Sequence, residues 1–295
     1  MRKHFLATVV ALAGLLLAAA ADAQANHIQC GQTVTQDVRL DSDLVNCAGN
    51  GIVIGADGIT VDLSGHVVDG TLFGLGNDSG INNDGGYDGV TVKNGTVQEF
   101  QFGVLMTESD RSTVSRLTVS DSLSNGIIFI RSNGCLIEKS TGARNAGGSI
   151  NLLQSQGCSV EKNDLTETFA DRSSGILLFQ SNNNLVSKNS ATGAFRAGVE
   201  LGTADFNVVD KNDVFGNTDG LVVFDSNGTQ VTHNNADRNF DDGIDIENAS
   251  TFVAQNSASF NGDLGIEAVL GVTDGGGNRA RGNGNPAQCA GVACK

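Results

Sequence analysis

The chain has 295 residues, with 39 Gly, 1 Pro, 6 Cys, no Trp and a formal net charge of −15. A single Pro excludes collagen and Pro-rich linkers despite the Gly content, and a hydrophobic share of 39% spread along the chain excludes wholesale disorder. The acidic balance argues against nucleic-acid binding, which needs clustered Lys and Arg, and against anchoring to an anionic membrane.

Residues 1–25 read as a secretory signal peptide. Arg2 and Lys3 form a positive start, residues 5–20 are apolar, and Ala23-Gln24-Ala25 is a small-x-small cleavage site before Asn26. Nothing later is long and apolar enough to span a membrane. The expected protein is therefore secreted or periplasmic, a setting in which disulfides are permitted. Cys30 and Cys47 lie near the mature N-terminus, Cys135 and Cys158 in the middle, and Cys289 and Cys294 at the end. The outer pairs read as staples. Cys135 and Cys158 stand one repeat apart, so they can be a disulfide or two stacked thiols.

From residue 51 onward the chain repeats. Segments of Gly (once Ser), aliphatic, any residue, aliphatic begin at 103, 126, 149, 175, 198, 220, 243 and 265, so the period is 22 to 26 residues. A second series in register is Val92, Val114, Ile137, Val160, Val186, Val209, Val231 and Val253. A third is polar: Asn163, Asn189, Asn212, Asn234, Asn256 and Asn278. The unit is too short for two helices, and its apolar residues alternate at period two, the strand signal. Gly, Asn, Asp and Ser between the strands are expected at turns that need left-handed backbone. Such a repeat folds as a β-solenoid whose stacked coils pair in parallel, with the recurring Asn bonded above and below at an inward turn. Residues 71–87 form an insertion in one coil, residues 164–174 lengthen another, and 26–50 and 286–295 cap the solenoid of 51–285.

The segments at 212–223 and 234–246, Asn-Asp-Val-Phe-Gly-Asn-Thr-Asp-Gly-Leu-Val-Val and Asn-Asn-Ala-Asp-Arg-Asn-Phe-Asp-Asp-Gly-Ile-Asp-Ile, carry a resemblance. They resemble the right-handed parallel β-helix of the pectin-lyase-like superfamily, and within it the short repeats of carbohydrate-binding, sugar-hydrolase and NosD-type proteins. The resemblance implies an all-β, right-handed parallel β-helix of a single domain. It also implies action on polysaccharides, for which hydrolases of this fold use paired carboxylates. Asn217-Thr218-Asp219 followed by Asp241-Asp242 is similar to the polygalacturonase-type pattern, which makes Asp219, Asp241 and Asp242 the catalytic candidates. The Gly-His-Gly and Arg-x-Lys that complete that pattern are absent; Leu264-Gly265-Ile266 and Arg279-Ala280-Arg281 stand in those places. Turn chemistry alone also accounts for an Asp before Gly.

The middle residue of each Gly-aliphatic-x-aliphatic segment points outward. Coil by coil this column is Leu105, Ile128, Asn151, Leu177, Glu200, Val222, Asp245 and Glu267, apolar first and acidic later. Glu200, Asp245 and Glu267 are the binding candidates, with charge deepened by Asp225, Asp241, Asp242, Glu247 and Asp263. Stacked like charges repel; either solvent screens them, the favoured alternative, or Ca²⁺ bridges them. No firm cofactor is expected and no metal-ligand spacing occurs. The sequence reading favours a monomeric, non-enzymatic scaffold that binds a polysaccharide or cell-surface partner. A polysaccharide hydrolase or lyase, and a periplasmic accessory role of NosD type, are the alternatives.

Overall fold

Alternation at period two over three to eight residues gives strands too short to be stable alone, so each must find its partner one repeat away. The computed structural model describes residues 27–72, 76, 78–166 and 173–295. The signal-peptide segment lies outside them, as do 73–75 and 77 of the insertion and 167–172 of the longer coil. Among the described residues every element is a β-strand, and the strand pairings are parallel, coil against coil. One face is an 11-stranded sheet, one strand per coil, running from Gln32–Val34 to Ile266–Ala268. The remaining wall uses two strands per coil, such as Ser159–Glu161 and Asp164–Thr166, fused into one where Thr91–Gln98 and Thr113–Ser120 run unbroken.

The aliphatic series is the core. Val92, Val114, Ile137, Val160, Val186, Val209, Val231 and Val253 are successive register partners and fully buried. Each contributes about 1.5–3 kcal/mol relative to an exposed position. Opposite them stand the inward residues of the 11-stranded sheet, such as Ile150, Leu152, Ile176 and Leu178. The first described coil buries Val34, Val38, Leu40 and Leu44 over the end of this core, and the Cys30–Cys47 disulfide closes it. Cys289 and Cys294 are bonded at the other end. Cys135 and Cys158 are bonded as well, with Cα atoms 4.4 Å apart, as direct stacking between adjacent coils requires.

The polar series forms a buried amide ladder. Asn163 donates through Nδ2 to Asn189 Oδ1 at 2.9 Å, and the same link continues through Asn212, Asn234, Asn256 and Asn278 at 3.0–3.2 Å. Each Nδ2 also donates to a carbonyl one coil back, such as Asn212 to Val186 O at 2.9 Å. Each Oδ1 accepts a backbone N–H, as Asn212 does from Asn189. Every amide group is thus used. A second ladder, absent from the sequence reading, runs Asn217, Asn239, Asn261 and Asn283 at the next corner.

Two details of the turns differ from expectation. The left-handed position before the first ladder is held by long side chains rather than by Gly or Asn. Lys162, Lys188, Lys211 and His233 have φ of 56–58°. That backbone costs about 1 kcal/mol or more per residue, and it persists because the neighbouring Asn is fixed by three bonds. Conversely, Gly220 and Gly243 do not have positive φ. Their need is space: a Cβ would stand 2.3 Å from Gly243 O in the first case and 2.5 Å from Gly265 O in the second.

Candidate functional site

The outward column of the 11-stranded sheet follows the repeat. Leu105, Ile128, Asn151, Leu177, Glu200, Val222, Asp245 and Glu267 are successive register partners. Outward does not mean open, however. Leu105 and Ile128 are only 7% and 3% exposed, so the apolar half presents no open patch at these positions. Glu200 is buried too. Ser174 Oγ donates to its Oε2, and Arg196 Nη2 lies 3.0 Å from its Oε1. Val222 stands between Glu200 and Asp245 in the column, so Glu200 forms its own ion pair and does not join the acids beyond. Arg196 also lies over the Phe224 ring, 5.5 Å from its centroid.

Asp245 and Glu267 are direct partners on adjacent strands. Asp242, three residues before Asp245, joins them. The Gly243 between has its side-chain direction turned toward the interior, where a Cβ would meet Asn261 and Ala236 O. Asp242 is left facing outward yet buried, with the Glu267 carboxylate close enough to raise its pKa. Asp219 is the residue one coil back: its Oδ1 accepts the Asp242 N–H at 3.1 Å, and Asp242 Oδ1 accepts the Leu264 N–H at 2.7 Å. These two carboxylates thus secure the backbone of the next coil while facing the acid cluster. Asp241 is one residue extra at this corner. Exposed, it gathers with Asp242 and Asp263 so that one oxygen from each lies within 4.8 Å of the others. Three carboxylates supply at most part of the six to eight oxygens Ca²⁺ takes, and one Asp242 oxygen already serves a backbone N–H.

Crowding changes the acids. Burial pushes Asp245 up to about 7, and Glu247, Asp219, Glu267 and Asp241 push in the same direction. Burial likewise raises Asp242 to about 7, reinforced by Glu267 and Asp241 and opposed by the Leu264 N–H. Asp219 is raised chiefly by burial, against the Asp242 N–H and Arg196. Asp245, Glu247 and Glu267, with Ile246, Ala268 and Val269, line a depression of about 300 Å³. A carboxyl titrating near neutrality can donate a proton to one hydroxyl or accept from another. The repeat names these residues but carries no sign of the approach of Asp242 to Glu267 or of the Arg196–Glu200 pair. Both are lateral contacts between columns, and a vertical repeat carries no signal for them.

The family model described as "Right handed beta helix region" matches residues 102–263. The chain belongs to that family of right-handed β-helix proteins. No curated protein matches it. Among solved structures, the A-module of mannuronan C-5 epimerase AlgE6 from Azotobacter vinelandii is 14% identical, with a TM-score of 0.64 over 90% of this chain and 91% of that one. The Dettilon tailspike protein gp208 is 16% identical, with a TM-score of 0.57 over 88% of this chain and 60% of its own. DFA-IIIase from Arthrobacter chlorophenolicus A6 is 13% identical, with a TM-score of 0.53 over 87% and 66%. At such identities the likeness is one of fold. Three disulfides are the chemistry of an oxidising, extracellular setting. Among the described residues no helix is long and apolar enough to cross a membrane.

Proposed function

We propose that the protein is an exported, non-enzymatic β-helix scaffold that binds a neutral polysaccharide at the acidic end of its 11-stranded sheet. The observation that carries this reading is the pair of carboxyls raised to about 7, Asp242 and Asp245, beside the depression formed with Glu247 and Glu267. Part-protonated, they offer sugar hydroxyls both donors and acceptors. A net charge of −15 disfavours uronate polymers and leaves neutral glycans as the fitting class.

The same raised carboxyls favour one second reading, a glycoside hydrolase, because an acid must keep its proton near neutral pH. Calorimetric titration against a panel of neutral and uronate oligosaccharides, paired with a reducing-end assay, separates the two. Binding of a neutral glycan without new reducing ends, weakened about tenfold in Asp245→Asn, supports the scaffold. Reducing ends that vanish in Asp242→Asn transfer the assignment to a hydrolase. Preference for uronates, or no glycan binding at all, overturns the neutral-glycan reading.

A further inference from the structure

Several cations of this acidic chain pair with carboxylates. Arg111, Arg131, Arg144, Arg196, Lys139 and Lys211 each pair with a carboxylate. Among the described residues, the cations of the final coils do not. Arg279 and Arg281 flank the inward Ala280, so both stand on the outer surface of strand Arg279–Arg281, about 6.6 Å apart by the strand rise. With Lys295 they line a depression of about 340 Å³. None of the three makes an ion pair among the described residues.

The rest of the depression is mostly polar. Ser257 and Ser259 lie one coil back as the register partners of Arg279 and Arg281. Their hydroxyls have no hydrogen-bond partner among the described residues. Asp237 also lines the site, but its carboxylate accepts the Ser259 N–H at 2.8 Å and is two coils from Arg281. At one edge the Phe260 ring is half-exposed. It lies over Gly282, where a Cβ would come within 2.8 Å of the ring. The Arg238 guanidinium, one coil back, lies over the same ring, 5.8 Å from its centroid.

We propose that this depression binds an anionic sugar, one carrying a phosphate or sulfate ester. Guanidinium groups present paired N–H donors to a tetrahedral oxyanion. The two serine hydroxyls and the Lys295 ammonium supply donors from other directions. The exposed edge of the Phe260 ring offers apolar contact to the sugar carbons. The same coils carry Asp263 and Asp274, so a broad anionic surface would be repelled where a single ester group is not. The site lies on the two-strand wall, away from the acidic sheet face, and does not rest on the glycan reading above.

The test is a titration of the full chain at low salt with glucose 6-phosphate, inorganic phosphate, glucose and vesicles of phosphatidylcholine with phosphatidylglycerol. Calorimetry gives affinity and amide chemical-shift changes give location. Glucose 6-phosphate is expected to bind about tenfold more tightly than inorganic phosphate, with shifts at 257–260 and 279–282, and glucose not to bind. Arg279→Gln with Arg281→Gln should remove the binding, and Phe260→Ala should reduce it to the phosphate level. Both are surface changes whose folding is checked by circular dichroism. Unchanged affinity in the double variant, shifts elsewhere in the molecule, or binding to vesicles without binding to the sugar phosphate would each overturn the proposal.

Discussion

The asparagine column at the turn and the carboxylate column on the sheet face both stack one side chain per coil, yet only one of them is at rest. An amide donates and accepts, so each link from Asn163 to Asn278 closes without charge. An ionised carboxylate only accepts. Asp245 above Glu267, and Asp242 beside Glu267, repel when ionised, and burial and this repulsion raise Asp242 and Asp245 to about 7. The same one-coil spacing therefore builds a structural spine from one residue type and a titrating surface from another.

The sharpest way to break this comparison is to move the charge into the spine. Asn212→Asp removes the amide that donates to Val186 O and Asn234 Oδ1. A carboxylate then faces two acceptors in a buried site. We expect a loss of about 3 kcal/mol or more in urea unfolding; a loss below 1 kcal/mol would show that the ladder bears little of the fold's stability. Next in size is the covalent tie between neighbouring coils. Replacing Cys135 and Cys158 by Ser should cost about 3 kcal/mol. Thiol titration of the unfolded protein should find none before reduction and six after it, since no free Cys is present.

The reverse exchange should have the opposite sign. Because the folded carboxyls of Asp242 and Asp245 titrate well above their unfolded value of 3.8, the unfolded chain loses these protons first. Their stabilising contribution is full below about pH 4 and is lost as pH rises to about 7. Asp245→Asn should flatten this decline and raise stability at pH 8 by about 1 kcal/mol, discounted for a half-exposed site. A pH profile parallel to that of the parent would refute the crowding account. The smallest effect is expected at the turn itself. Lys188→Gly relieves a left-handed side chain, and a gain of about 0.5 kcal/mol, net of the added freedom of the unfolded chain, should appear as a slightly higher urea midpoint. A loss would mean that the Lys stem packs on the turn.

Much of this is legible in the sequence alone. Val160, Val186 and Val209 fall in one buried column, and Asn189 bonds to Asn212, because a repeat of fixed length puts equivalent residues one above another. Cys135 and Cys158 become vertical neighbours by the same arithmetic, although spacing alone left bond and thiol equally open. The outward column of Glu200, Asp245 and Glu267 also falls in the register the sequence implies. What the repeat did not foretell is lateral. Glu200 leaves the acid cluster for Arg196 and Ser174, Asp242 reaches Glu267 around a glycine, and Arg281 lies beside Phe260 at the mouth of a depression.

The sequence by itself determined the solenoid, its vertical neighbours and its core, since period and alternation act within one coil and its copy. Only the tertiary structure decided which outward side chains are covered, which acids hold protons and where unpaired cations gather. Those properties depend on distances between columns, and corners of unequal length, such as Asn217–Gly220 and Asn239–Gly243, set those distances.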